Sequence, residues 1–119
     1  MQDFRTLKVW QRSHQFTLEV YQVTGSFPTH ELYGLTSQMR RAATSVPTNI
    51  AEGCGRGSDA EFARFLQYAM GSASELDYHL LLAHDLHFLE ISRYEPLHNE
   101  LTEIKKMLNA FLQKLRANS

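Results

Sequence analysis

The side chains with which this chain could do chemistry are six histidines, one cysteine, a pair of adjacent arginines and a glycine-rich loop. Glu75 and His79 stand four apart and His84 and His87 three apart, with Asp77 and Asp85 nearby, so each pair can share one face of a helix. Bundles that hold metals do so with Glu-x-x-His on two helices plus further glutamates. Here the spacing is Glu-x-x-x-His, and surface or rim positions account for His14, His30, His79, His84, His87 and His98. Cys54 lies between glycines after a helix C-terminus, where the dipole disfavours a thiolate, although Arg56 partly counters this. Ser58 reads as a helix cap, and no acid–histidine–nucleophile set stands out. The expectation is no catalytic residue, no metal site, no cofactor and no small-molecule substrate.

The segment Gly53-Cys54-Gly55-Arg56-Gly57-Ser58 has the look of a phosphate cradle, with freed backbone N–H groups, one cation and a helix start behind it. No strand precedes it and no Gly-Lys-Ser/Thr follows, so the nucleotide-fold context is missing. An interhelix loop with a capped exit is the expected role, leaving a weak anion site as the alternative. Arg40 and Arg41 project about 100° apart on a helix, so at most one faces inward. One is expected to pair structurally: Arg41 with Glu75, or with Glu52 across a subunit contact. If Arg41 is buried and paired, Arg41→Ala should melt well below the parent, since breaking a buried pair costs about 3–5 kcal/mol. The sharper alternative is phosphate contact. Arg5, Lys8 and Arg12 are spaced to share a face of the first helix, and Arg40 and Arg56 complete the candidate nucleic-acid or anion contacts. Lys105, Lys106, Lys114 and Arg116 cluster near the C-terminus. Solvated charge is the usual reason for such runs.

Four helices are expected to position these groups, with no strand. The first spans residues 7–24, where Leu7, Trp10, His14, Leu18 and Tyr21 keep a 3–4 spacing beside a second set, Val9, Phe16, Val20 and Val23. The second spans residues 35–52, with Leu35, Met39, Ala42, Ala43, Val46 and Ile50 inward. Pro47 removes one of its backbone bonds and is expected to kink it, at a cost of roughly 3 kcal/mol unless packing compensates. Ser58 and Glu61 form a capping box that opens a third helix over residues 59–88. Ser92 and Glu95 suggest another, with Pro96 in the first turn of a fourth helix. That helix carries Leu97, Leu101, Ile104, Leu108, Phe111 and Leu115 in a heptad seam. Short connections favour an all-α, antiparallel up-down-up-down four-helix bundle, one domain over residues 1–119.

The net charge of −1 hides an uneven layout: +2 over residues 1–57, −7 over residues 58–104 and +4 over residues 105–119. The acidic middle would repel phosphate. A single cysteine allows no internal disulfide and fits a reducing compartment. No secretory signal or membrane-length apolar run is visible, so a cytoplasmic location and no membrane partner are expected. Apolar residues outnumber what one core needs: the first helix has two stripes, and Tyr68, Tyr78, Leu81, Leu82 and Phe88 lie off the main stripe of the third. Large leftover patches mark interfaces, so self-association is expected.

The block Gln38 through Ala43, followed by Asn49-Ile50-Ala51-Glu52-Gly53, resembles the 23S rRNA intervening-sequence protein family. Further matching residues are Phe4 through Trp10, Val20-Tyr21, Phe27-Pro28 and Glu31 through Leu35 upstream. Downstream they are Arg56, Ser58, Glu61-Phe62, Phe65-Leu66, Ala69, Gly71-Ser72 and Glu75-Leu76. The resemblance implies a left-handed four-helix bundle assembled as a homopentameric ring, in a family with no established biochemical activity. The accessory protein of diversity-generating retroelements, a basic pentamer that binds nucleic acid, looks like a relative; this chain departs from it in being slightly acidic. The expected function is a non-enzymatic homo-oligomeric scaffold or interaction protein. The alternative is an accessory protein that binds RNA or DNA through basic patches repeated around the ring.

Overall fold

The computed structural model describes residues 2–118, which form four helices: α1 (Lys8–Thr24), α2 (Leu35–Cys54), α3 (Asp59–Asp85) and α4 (Ile91–Ala117). Short 3-10 turns at Phe4–Thr6 and Thr29–Glu31 precede α1 and α2. Paired residues across the bundle run in opposite directions along neighbouring helices. Arg40 meets Thr24 while Ala43 meets Thr17; Ser45 meets Ser72 while Gly53 meets Phe62; Asp77 meets His98 while Phe62 meets Phe111. The topology is therefore up-down-up-down, with extents of 45 × 23 × 20 Å. The α2–α3 pair makes the most extensive contact and α3–α4 the next.

The core takes one stripe from each helix. On α2 it is Leu35, Met39, Ala42, Ala43, Val46 and Ile50, on α3 Phe62, Leu66, Ala69, Ala73, Leu76 and Leu80, and on α4 Leu97, Leu101, Ile104, Leu108 and Leu115, with Leu112 buried in place of the expected Phe111, which is half-buried. The α1 contribution reverses the expected emphasis. Val9, Phe16, Val20 and Val23 are buried, whereas His14, Leu18 and Tyr21 point outward and Leu7 and Trp10 are half-buried. Ser13 and Thr17 complete the inner stripe because each hydroxyl can bond a carbonyl of its own helix.

Pro47 is buried inside α2, and the helix runs through it without interruption. Its missing N–H would leave the carbonyl of Ala43 without an intrahelical donor. The hydroxyl of Thr17 on α1 meets that need: Oγ1 lies 3.0 Å from the Ala43 oxygen and 2.9 Å from that of Ser13, one proton shared between two acceptors. A breaker in α2 thus becomes a contact that sets the register of α1. At the far end of α2, Gly53 is helical rather than a terminator. A Cβ there would sit 2.6 Å from Cδ1 of Phe62 and 3.1 Å from Cβ of Phe65, so only glycine permits this approach of α2 to α3.

The end of α3 and the start of α4 differ from expectation. α3 stops at Asp85 because His87 adopts a left-handed backbone, φ 65°, and Phe88 N–H returns to the Ala83 carbonyl at 2.9 Å. That is a Schellman closure with histidine in the usual glycine place. It folds Phe88 back against Phe27, with ring centroids 5.7 Å apart, and buries Leu89. α4 then starts at Ile91 behind an extended Glu90, so Ser92 is already helical and caps nothing, and Pro96 lies within the helix. The Ser58 cap does form, Oγ accepting from Glu61 N–H at 3.2 Å.

In the parent, Thr17→Val should cost about 1–3 kcal/mol, the usual range for a buried acceptor left unpaired. In a Pro47→Ala background the new N–H can serve Ala43, so the same change should cost much less. A double-mutant cycle by urea unfolding measures this coupling; additive costs would disprove the link between Thr17 and Pro47.

Candidate functional site

The most feature-rich surface is the outer side of α2 where it meets α3 and the α1–α2 connector. A groove of about 960 Å³ runs there, lined by Tyr33, Arg40, Arg41, Thr44, Ser72 and Glu75 among others. Small residues on α2 make its floor. Ser45 accepts from Asn49 and, across the helix pair, Ser72 Oγ donates to Ser45 Oγ at 2.8 Å, which occupies these hydroxyls with each other. Arg40 folds inward over the Tyr21 ring, 4.7 Å from its centroid, and its Nε donates to Thr24 Oγ1 at 2.9 Å. Arg41, about 100° round the helix, is exposed and has no ion pair among the described residues. Tyr33 stands beside this groove with 93% of its surface exposed.

The expected intrachain pairing of Arg41 is therefore corrected. Glu52 lies 3.7 Å from Arg56 and Glu75 3.5 Å from His79, both along their own helices, and Arg41 faces outward. The basic face expected on the first helix does not assemble either. Arg5 precedes α1 and pairs with Asp3 at 3.3 Å. Arg12 is clamped to α4 by Glu100 in a two-pronged pair at 2.9 and 2.6 Å, geometry that favours a lasting contact. Lys8 is exposed and has no ion pair among the described residues. Arg56 also covers the Phe65 ring at 4.6 Å. Near the C-terminus, Lys105 reaches Asp77 at 3.3 Å and Lys106 lies 3.9 Å from Glu103.

The glycine loop does not form a cradle. The N–H groups of Gly55 and Arg56 turn back to the carbonyls of Glu52 and Gly53, closing α2. Cys54 is buried, and desolvation, then the charge of Asp3, pushes its thiol pKa up. Among the described residues, no three His, Cys, Asp or Glu side chains come together as a metal site, and no helix is long and apolar enough to cross a membrane.

Two clusters have little signature in the sequence. Tyr94 stacks between His84 and His98, with centroids 4.8 and 5.7 Å away, and His98 Nδ1 lies 3.2 Å from Asp77 Oδ1. This ladder joins α3 to α4, and the four-residue step from Tyr94 to His98 is its one faint signal. His79 is only 5% exposed, and its Nδ1 has no partner among the described residues. It occupies an inward position of α3 where periodicity alone would ask for an apolar residue.

The outer face of α3 is unusual for a solvated helix. Between Arg64 and Asp85, the outward residues Gln67, Tyr68, Gly71, Ser74, Glu75, Tyr78 and Leu81 occupy one continuous arc with a single charge. Tyr78 is 60% exposed, and a Cβ at Gly71 would touch nothing within 4 Å. A mid-helix glycine costs roughly 0.5–1 kcal/mol relative to alanine, and no neighbour among the described residues requires it.

A family model described as 23S rRNA-intervening sequence protein matches residues 5–110. Among solved structures, the chain is similar to a protein of unknown function from the S23 ribosomal protein family of Bacteroides thetaiotaomicron. The TM-score is 0.82 at 26% sequence identity, over 88% of this chain and 95% of that one. No curated protein matches.

Burial lowers the pKa of His79 from its ordinary 6.5, with Glu75 opposing more weakly. Below pH 6.5 the unfolded chain therefore binds a proton that the folded chain refuses, and stability falls with pH until the lowered folded value is reached. The slope contributed is at most about 1.4 kcal/mol per pH unit. Urea midpoints at pH 7.5 and 5.5 should drop more for the parent than for His79→Leu; equal drops would remove His79 as the cause.

Proposed function

This chain belongs to the 23S rRNA-intervening sequence protein family, and we propose that it acts as a non-enzymatic interaction protein built from copies of itself, assembled as a pentameric ring. The observation that carries this reading is the outer arc of α3. Tyr68, Tyr78 and Leu81 are exposed there around a glycine that the single chain does not need. Apolar side chains around a small residue let a second helix approach closely, and contact would remove them from water at roughly 25 cal/mol per Å². The arc adjoins the groove that holds Arg41 and Glu75, so a neighbouring copy covering both would supply acids for Arg41, Glu52 included. Leu18 and Tyr21 on α1 enlarge the apolar surface, Tyr21 beside Arg40.

Light scattering should give the parent a mass of five times the 13.7 kDa chain. Gly71→Leu combined with Tyr78→Glu should reduce it to one chain with unchanged helicity, because both positions are open in the single chain. A parent that stays at one copy at high concentration defeats the proposal.

RNA or DNA binding is the second reading, favoured by one observation: Arg41, free of any ion pair among the described residues, shares its groove with the exposed Tyr33. An arginine beside an aromatic ring is a platform for a stacked base. Three of the five candidate contacts, Arg5, Arg12 and Arg56, already face acids. Few phosphates would then be neutralised per copy, and the salt dependence should be shallow. Anisotropy with labelled single-stranded RNA at low salt should show binding that Arg41→Ala weakens; no binding at low salt excludes this reading.

A further inference from the structure

The opposite end of the bundle brings together the start of α1, the α2–α3 loop, the first turn of α3 and the last turns of α4. A cavity of about 690 Å³ opens among them, within the usual size of small-molecule sites. Its walls are apolar: Val9, Cys54 and Phe62 are buried, and Phe111 meets the Phe62 ring edge to face at 5.1 Å. Burial keeps the Cys54 thiol protonated, so the wall presents neutral sulfur.

The rim differs from the walls. Lys8 and Lys114 both line the cavity, and neither has an ion-pair partner among the described residues. Arg56 shares the rim, already facing Glu52 at 3.7 Å. Asp59 is the one acid in the lining. It sits in the first turn of α3, where the helix dipole offsets part of its charge. Arg5, Arg12, Arg56, Arg64, Lys105 and Lys106 have acids within 4 Å, so the two lysines stand with Arg40, Arg41 and Arg93 outside these pairs.

Apolar walls beneath a cationic rim complement a molecule with one anionic head and an apolar body. An inorganic anion would leave the walls wet, and a neutral apolar molecule would leave the lysines unanswered. We infer that this cavity binds a small amphiphilic anion, a carboxylate or phosphate monoester on a short aliphatic chain. The head meets Lys8 and Lys114, and the tail lies against Phe62, Phe111 and Cys54. The inference goes beyond self-assembly and does not depend on it.

The test is calorimetric titration of the full chain with octanoate and octyl phosphate, against octanol and inorganic phosphate. One octanoate or octyl phosphate should bind per chain, octanol at least tenfold more weakly, and inorganic phosphate without saturation. The tighter of the two amphiphiles identifies the head as carboxylate or phosphate, and either supports the site. Lys8→Met with Lys114→Met, both at exposed positions, should weaken the anions about tenfold, as expected for lost charge-assisted contacts, and leave octanol unchanged. Absence of saturable amphiphile binding overturns the inference. So do octanol binding as tightly as octanoate, inorganic phosphate binding as well as octyl phosphate, or indifference to the lysine substitutions.

Discussion

The bundle depends on one unmet backbone demand. Pro47 takes a donor out of the middle of α2, and Thr17 of α1 supplies it to the Ala43 carbonyl. A buried carbonyl without a partner would cost more than an ordinary hydrogen bond contributes, so the contact is as much a constraint as a stabiliser. It ties the middle of α1 to the middle of α2 in one register. From that anchor the neighbouring contacts follow: Arg40 reaches back to Thr24, and Gly53 lets α2 close onto Phe62 of α3. α2 is thus the spine of the fold, gripped on one side by a hydroxyl and on the other by an aromatic ring.

Charge follows a similar logic. Acids from the negative middle of the chain reach bases on other elements: Glu100 holds Arg12, and Asp77 holds both Lys105 and His98. These pairs are partly exposed and each contributes modestly. Their larger effect is subtractive. They remove basic side chains from the surface that nucleic acid would need, while leaving Lys8, Arg41, Arg93 and Lys114 open. The faces that remain are weakly charged and rich in tyrosine along α3, mixed in the α2 groove, and cationic around the cavity at the α3 start.

The all-α class, the four helices, the core stripe of α2 and all of that of α4 but Phe111 are legible in the sequence, because 3.6-residue periodicity survives wherever a helix has one wet and one dry side. The Ser58 cap is legible for the same local reason. The choice of stripe on α1 is not. Both candidate sets are apolar, and Ser13 and Thr17 look polar until their hydroxyls are seen to bond carbonyls within the helix. The α3 terminus is hidden because histidine rarely takes a left-handed backbone, and the Ser92 capping signal misleads because packing of Leu89 starts α4 earlier. The candidate surface is half legible. Tyr68, Tyr78 and Leu81 stand out as surplus to one core, but Tyr33 and the unneeded Gly71 gain meaning only once their surroundings are known to be empty.

What the residues determined alone were local quantities: helix periods, caps, the site of a missing N–H, and the inventory of charges. Partner choice belonged to tertiary structure. Arg12 finds Glu100 across 88 positions, Arg41 finds no acid among the described residues, and Thr17 finds the carbonyl that Pro47 abandoned. The physical reason is range. Backbone preference and side-chain periodicity act over one or two turns, whereas an ion pair or a buried hydrogen bond forms only between groups that packing has already brought within about 3 Å.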